Sequence, residues 1–110
     1  DFPLWLAPVQ VIIIPVADRH LEYAGRLEQA LKDIEVRVRL DGRGERMGNK
    51  IRQAQASRIP CMLILGDKEV AGNTVSVRLL SGAQANDLPL DTLKAALHKA
   101  ILDKVPDFKL

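Results

Sequence analysis

The chain has 110 residues, the size of one domain, and this is enough to bury a single core without disulfides or bound metal. Apolar residues make up 47% of it and aromatic residues only 4%, so we expect an aliphatic core. The longest apolar run covers residues 11–16, too short to cross a membrane, and no signal-peptide pattern is visible. The single cysteine, Cys61, excludes an internal disulfide and is compatible with a reducing compartment.

Positive charge is concentrated in one segment of the chain. Residues 35–58 contain seven basic and three acidic side chains, a net charge of +4, whereas the whole chain carries only +2. Clustered positive charge attracts polyanions through Coulomb attraction and counterion release. A solvated helix face beside a basic edge strand has the same composition, so charge alone leaves both interpretations open.

The first half of the chain predicts two β-α units. Residues 9–16 are short, apolar and rich in β-branched side chains, which predicts a buried strand. Asp18 is expected to cap the helix that follows. Residues 35–40 alternate apolar and charged side chains as a half-exposed strand does, and residues 45–57 predict a second helix.

The second half predicts a hairpin and a last helix. In chain order we expect a buried strand, its outward continuation, a tight turn, a returning strand, a loop and a helix, at residues 61–65, 66–70, 71–73, 74–80, 81–89 and from 91. The order β-α-β-α-β-β-α predicts parallel strands joined by crossover helices, with an antiparallel strand added late. This indicates a mixed sheet with helices on its faces.

No catalytic or metal-binding constellation emerges from the residues. His20 and His98 each stand alone in a predicted helix, which is typical of surface histidines, and Cys61 lies in a strand where a buried, inert thiol is expected. No CxxC or HxxxH spacing is present. The glycines at 42, 44 and 48 lack the spacing of a phosphate-binding loop, so an ordinary turn is expected there. A turn followed by a helix N-terminus that holds a single phosphate is the alternative.

One pair of side chains in the predicted hairpin could do more than pair with each other. If the turn tip lies near residues 72–73, Glu69 faces Ser76, and Arg78 is its diagonal neighbour on the same sheet face. A carboxylate accepts hydrogen bonds from the guanine N1 and N2 hydrogens, and a guanidinium donates to base carbonyl oxygens. A surface ion pair between the two side chains is the alternative.

Four short strings occur in a fixed order: residues 5–11 (WLAPVQV), 50–52 (KIR) with 59–60 (IP), 66–70 (GDKEV) and 75–78 (VSVR). Each string alone is weak, but the ordered set resembles the C-terminal anticodon-binding domain of threonyl-tRNA synthetases. Histidyl-, prolyl- and glycyl-tRNA synthetases share the fold, and WLAPVQV and GDKEV point to the threonyl branch.

The resemblance implies an α/β architecture, a five-stranded mixed sheet flanked by three helices, as in the anticodon-binding domains of class II synthetases. It implies that residues 1–8 lead in from a catalytic core outside this chain and that residues 9–110 form one domain. ATP, magnesium and zinc are expected only in that core, so the domain itself is expected to have no cofactor, metal or catalytic residue. The parent protein would be a cytoplasmic, homodimeric threonine–tRNA ligase with no membrane association.

The resemblance also implies site residues and a partner, the anticodon loop of tRNA(Thr). The family reads the second and third anticodon bases with side chains on this sheet, and Glu69 and Arg78 match two of the reading positions. Contacts to the phosphates and the loop are expected from seven residues: Arg37, Arg39, Arg43, Gly44, Arg46, Lys50 and Arg52.

The chain departs from the family pattern at two places. Gly44 stands where the family usually has an asparagine, and Leu79 and Leu80 follow Arg78 where basic residues are usual. Two alternatives therefore stay open. These departures favour the first alternative, a diverged accessory or dimer-contact module of the same fold that has lost anticodon reading. The second alternative is a small-ligand α/β domain, which the missing phosphate fingerprint disfavours. Of the aromatic residues, Phe2 and Trp5 are expected to pack against the rest of the parent enzyme, and Tyr23 to lie partly buried in the core.

Overall fold

The computed structural model describes residues 4–104; Phe2 lies outside this range. The strands are β1 (Val11–Pro15), β2 (Val38–Leu40), β3 (Cys61–Leu65), β4 (Thr74–Leu79) and β5 (Gln84–Pro89). The helices are α1 (Leu21–Asp33), α2 (Met47–Ala56), α3 (Asp67–Gly72) and α4 (Leu90–Leu102). Short 3-10 turns cover Leu4–Leu6 and Asp18–His20.

The five strands form one mixed sheet in the order β2-β1-β3-β4-β5. The central strand β1 pairs in parallel with β2 and β3, and all five of its residues are buried, as its unbroken apolar sequence predicts. β4 runs antiparallel to β3 and to β5. The predicted mixed α/β sheet is therefore confirmed, with α1 and α2 as the crossovers between parallel strands.

The two faces of the sheet are covered unequally. The larger core lies where α1 and α4 pack on one face, and its fully buried side chains include Val11, Ile13, Leu27, Leu63 and Leu97. On the other face, α2 packs over β1 and β3 through Ile12, Ile14, Ala54 and Met62. We call this second side the α2 face.

The expectation of three helices was wrong, because Asp67–Gly72 form a fourth helix, α3, where a strand and a tight turn were expected. Gly66 precedes the helix in an extended conformation, and the Glu69 carboxylate accepts a hydrogen bond from its N–H at 2.7 Å, one half of a capping box. Asn73 ends the helix in the left-handed conformation (φ 54°), which asparagine tolerates better than most residues.

Three further predictions about individual segments were wrong. Residues 84–89, expected in a loop, form the edge strand β5. The strand expected at 35–40 is limited to Val38–Leu40, because Glu35 adopts a positive φ of 64° that ends the turn after α1. Asp18 makes no capping hydrogen bond; it lies in the 3-10 turn, whose preceding residue is Ala17.

The lead-in segment is fastened to the domain by polar contacts. The buried Gln10 side chain donates to the Leu4 carbonyl and accepts from the Arg37 amide. The Arg37 guanidinium donates to the carbonyl oxygens of Ala7 and Trp5, each at 2.9 Å. The Lys104 ammonium lies 5.4 Å from the centre of the Trp5 ring, so part of this ring packs within the domain.

Candidate nucleic-acid interface

The α2 face extends beyond α2 onto an open part of the sheet. In β4, Ser76 lies opposite Ile64 and Arg78 opposite Met62, and directly paired residues of antiparallel strands point to the same side of a sheet. Ser76 and Arg78 therefore lie on the α2 face, and both are half-buried, in keeping with the predicted alternation of this strand. Beside Arg78, β5 presents the exposed Gln84.

Glu69 reaches this surface from α3 and not from a strand, which corrects its expected place in the hairpin. Its Oε1 accepts from the Gly66 amide at 2.7 Å, and its Oε2 accepts from the Ser76 hydroxyl at 3.0 Å. The sequence-based expectation that Glu69 faces Ser76 thus has a counterpart in a side-chain contact. Each carboxylate oxygen can accept a second hydrogen bond, so the oriented group retains capacity for a ligand.

Arg78 is the second reading candidate. Among residues 4–104 its guanidinium makes no hydrogen bond or ion pair, and the surface ion pair with Glu69 that the sequence left open does not form. A half-buried guanidinium without an internal partner retains all five of its N–H donors for a ligand. The open sheet surface of Glu69, Ser76 and Arg78 is called the reading surface below.

The loop between β2 and α2 uses part of its charge internally. Arg43 binds the nearly buried carboxylate of Asp41 through two hydrogen bonds of 2.8 Å and also contacts the Gln53 side chain. The hydrogen bonds from Arg43 hold the pKa of the Asp41 carboxyl below its ordinary value. Lys50 was expected as a surface charge, but it is only 4% exposed and its Nζ donates to the Asp41 carbonyl at 3.2 Å.

The remaining basic residues of the region are exposed. Arg39 on β2, Arg46 before α2 and Arg52 on α2 project into solvent. Within the described chain, Arg39 and Arg46 have no side-chain partner, and Arg52 makes one long contact of 3.4 Å to Asn49. Arg39 and Arg43 also border a groove of about 320 Å³ between β2 and α2. Arg39, Arg43, Arg46 and Arg52 are together called the basic rim.

Two more of the predicted contact residues differ in what they offer. The Arg37 guanidinium is exposed but already binds two carbonyl oxygens of the lead-in. Gly44 is exposed, and a Cβ atom built on it would meet no atom within 4 Å. An asparagine side chain would therefore fit at this position, so packing does not account for the glycine.

The cysteine and the two histidines are the side chains most often used in catalysis, and they lie in three different environments. Cys61 is buried as expected, and burial raises the pKa of its thiol to about 12, which makes it a poor nucleophile. His98 is exposed, but the prediction of a surface position is wrong for His20, which is buried against Asp67. Sequence reasoning missed this pair because 47 residues separate its members.

Residues 4–104 offer neither a metal-binding cluster nor a membrane-spanning helix. No group of three or more potential ligands there could hold a metal ion. Across residues 4–104, no helix has both the length and the apolar character needed to cross a membrane. Tyr23 takes the expected core position, where its hydroxyl donates to the Thr74 carbonyl at 2.9 Å.

Comparison with known proteins gives this surface a family context. Residues 10–100 match the anticodon binding domain family. A threonine–tRNA ligase of Dehalococcoides mccartyi is 48% identical over 103 residues, which cover 94% of this chain and 18% of that protein. A threonine–tRNA ligase of Clostridioides difficile is 45% identical over 100 residues, or 91% of this chain and 16% of that protein.

Solved structures agree with the sequence comparison. The RNA-binding domain of threonyl-tRNA synthetase from Cryptosporidium parvum superposes with a TM-score of 0.82 at 27% identity, covering 97% of this chain and 26% of that one. The chain spans less than a fifth of the length of the curated ligases named above. Family match, sequence identity and fold agree: the chain belongs to the anticodon-binding domain family and is homologous to a region of threonine–tRNA ligases.

Proposed function

We propose that this chain reads the anticodon loop of tRNA(Thr) with the reading surface, where Glu69 and Arg78 contact the second and third anticodon bases. The observation that carries the proposal is the Glu69 carboxylate, held by Gly66 and Ser76 on the sheet face where the Arg78 guanidinium has no partner within residues 4–104. Fixing a recognition group before the ligand arrives lowers the entropy lost on binding.

Guanine is the base that suits Glu69. Its Watson–Crick edge offers adjacent N1–H and N2–H donors, and a carboxylate accepts hydrogen bonds without offering any. The second anticodon base of tRNA(Thr) is guanine, because threonine codons have cytosine at their second position. Arg78 would donate to carbonyl oxygens of this guanine or of the neighbouring uracil.

The basic rim supports the proposal in a different way. Exposed guanidinium groups attract and orient the phosphate backbone without reading its sequence. Arg39, Arg46 and Arg52 are exposed and have little or no internal pairing in the described structure, so they are the main phosphate contacts in this proposal. Arg43 contributes through its exposed part, whereas Lys50 acts from inside by supporting the loop.

The parent protein in this proposal is a threonine–tRNA ligase, because the similar proteins are several times longer and carry that name. The catalytic core, with its ATP, magnesium and zinc, lies in the rest of that protein, and the domain positions tRNA(Thr) for it. A cytoplasmic homodimer is the proposed form of the parent. The accessory-module alternative shares the fold and differs only in lacking base discrimination.

A substitution at Glu69 tests base reading directly. Two RNA hairpins are compared, one with the threonine anticodon loop and one in which the middle guanine is replaced by adenine. Glu69→Gln leaves one oxygen for the Gly66 amide but turns the other acceptor into an NH₂ donor that faces the donors of guanine. We expect the affinity ratio between the hairpins to fall about tenfold, as expected when a polar partner is left unsatisfied.

The control is Glu22→Gln, which removes an exposed carboxylate from α1 on the opposite side of the sheet. It changes the net charge as Glu69→Gln does and should leave the affinity ratio unchanged. If Glu69→Gln weakens both hairpins equally or leaves their ratio intact, Glu69 does not read the base and the accessory-module alternative gains support.

A further inference from the structure

The helix that carries Glu69 has little apolar packing to hold it. None of the six residues of α3 is fully buried, and only Val70 packs partly against the core. Helices in folded proteins are normally fixed by an apolar face. The position of α3, and with it the Glu69 carboxylate, must therefore depend strongly on polar contacts.

Three consecutive side chains of α3 connect it to three different places. Asp67 binds Arg19 and His20 in the 3-10 turn before α1. Lys68 binds Asp87 of β5 at 2.7 Å, and Glu69 binds Ser76 of β4. The Lys68–Asp87 pair is exposed, and such pairs contribute little. The Asp67 contact is different because one of its two partners, His20, is only 2% exposed.

Both nitrogens of the His20 ring are engaged. Nδ1 lies 3.0 Å from the amide nitrogen of Ala17, and Nε2 lies 2.6 Å from Oδ1 of Asp67. An amide N–H can only donate, so Nδ1 is the acceptor and the ring hydrogen sits on Nε2, which donates to the Asp67 carboxylate. The imidazole thus joins the end of the β1–α1 connection to the first residue of α3 in one fixed orientation.

We propose that His20 is a positioning residue for base discrimination: it fixes α3 through Asp67 and so sets where Glu69 presents its carboxylate. The proposal rests on the proposed function, since it presumes that Glu69 reads a base. Glu69 lies two residues after Asp67 in the same helix, so a shift of the first turn displaces the carboxylate. His20 itself is buried and does not contact the RNA.

The test uses the full chain and the same two hairpins. We expect His20→Ala and Asp67→Ala each to lower the affinity ratio between the hairpins at least about fivefold, a loss of the size expected for one buried polar partner. Affinity for the adenine hairpin should stay close to that of the wild type. Asp67→Asn retains an oxygen that can accept from Nε2, so it should recover most of the ratio.

The matched control is His98→Ala, which removes the other histidine from an exposed site on α4 and should leave the ratio unchanged. Combining His20→Ala with Glu69→Gln separates positioning from general destabilisation. If His20 acts through Glu69, the double variant should discriminate no worse than Glu69→Gln alone. Asp67 is exposed, so Asp67→Ala removes the His20 contact even if His20→Ala does not fold. It also removes the two hydrogen bonds from Arg19, so Arg19→Ala is measured beside it and should retain most of the ratio if His20 is the positioning partner.

The outcomes distinguish the two proposals. If Glu69→Gln does not change the ratio, base reading by Glu69 fails. If Glu69→Gln lowers the ratio but His20→Ala and Asp67→Ala leave it intact, only the positioning role fails. Additive losses in the double variant would likewise overturn positioning through Glu69. Nitrogen chemical shifts of His20 should show a hydrogen on Nε2, and a hydrogen on Nδ1 would contradict the proposed contact.

Discussion

The basic segment at residues 35–58 and the reading surface differ in how much of their charge is available to a ligand. The basic segment has a net charge of +4, yet Arg37, Arg43 and Lys50 are engaged with carbonyl or carboxylate groups of the chain itself. The reading surface has one carboxylate and one guanidinium, and Arg78 has no partner in the described structure. Charge available to a ligand therefore differs from charge counted along the sequence.

The loop after β2 and the helix α3, which carry parts of these two regions, also differ in the contacts that stabilise them. The loop after β2 depends on the nearly buried Asp41, which binds Arg43 with its carboxylate and Lys50 with its carbonyl. The helix α3 depends on polar contacts near the surface, and the only buried partner among them is His20, which binds Asp67 in the described structure. Substitutions at Asp41 should thus act mainly on stability, whereas substitutions around α3 should act mainly on discrimination.

The largest expected effect on stability is that of Asp41→Ala. It removes the acceptor of both hydrogen bonds from the Arg43 guanidinium and takes negative charge away from the buried Lys50 ammonium. We expect the free energy of unfolding to fall by about 2 kcal/mol, as is usual when a buried charge loses its partner, with an allowance for the exposed part of Arg43.

Urea denaturation measures this loss, and Glu45→Ala serves as the control because it removes an exposed carboxylate from the same loop. The control should stay within about 0.5 kcal/mol of the wild type. Equal losses for the two variants would show that the Asp41 contacts do not support the loop, and the contrast between the two regions would disappear.

A smaller effect separates structural from ligand-binding charge within the basic segment. Arg37→Ala removes the hydrogen bonds to Ala7 and Trp5, so we expect a loss of about 1 kcal/mol in the free energy of unfolding. Arg39→Ala removes an exposed guanidinium of the basic rim and should leave stability unchanged. RNA binding should respond in the reverse order.

Salt titration of hairpin binding measures that response. For Arg39→Ala, the slope of log K against log salt concentration should become shallower by about 0.7–0.9, as expected for one lost phosphate contact. For Arg37→Ala the slope should match the wild type. A shallower slope for Arg37→Ala would mean that Arg37 contacts phosphate as well as the lead-in, in agreement with the role first inferred from the sequence.

Sequence patterns predicted the elements whose side chains repeat at a regular interval. The apolar run of β1, the alternation in β4 and the apolar stripes of α1 and α4 all report burial on one side of an element or throughout it. α3 escaped prediction because six residues are too few to show helical periodicity. β5 escaped because its sequence, QANDLP, contains turn-forming residues that an edge strand with a bulge can accommodate.

The candidate site was predictable only in part, because sequence reasoning places a residue on an element but does not reveal its partners. The predicted hairpin made Glu69 and Arg78 candidates, and the resemblance matched them to two reading positions of the family. The burial of Lys50 was unexpected because lysine is almost never fully buried unless it is paired, and no local pattern indicates its partner, the Asp41 carbonyl. The contact between His20 and Asp67 joins residues 47 positions apart, which no local pattern can reveal.

The smallest expected effect compares the loop after β2 with helix α3 by their acid response, since each contains one carboxylate with a depressed pKa. Hydrogen bonds from Arg43 lower the pKa of Asp41, and hydrogen bonds from Arg19 and then His20 lower the pKa of Asp67. In the unfolded chain such carboxyls titrate near a pKa of about 3.9. Their stabilisation is therefore complete above that pH and is lost as the pH falls through the lower folded-state pKa.

Acid unfolding of Asp41→Asn and Asp67→Asn should show this loss. Each variant should be less stable than the wild type at neutral pH, and its stability should decline less steeply below about pH 4 because one linked carboxyl is gone. Arg19→Ala tests which partner lowers the pKa of Asp67. It keeps the Asp67 carboxylate but removes the strongest influence on its pKa, so stability should again fall less steeply as the pH decreases. An unchanged slope in Arg19→Ala would assign the acid response of this region to His20 instead. The shift would then belong to the same buried contact that positions α3.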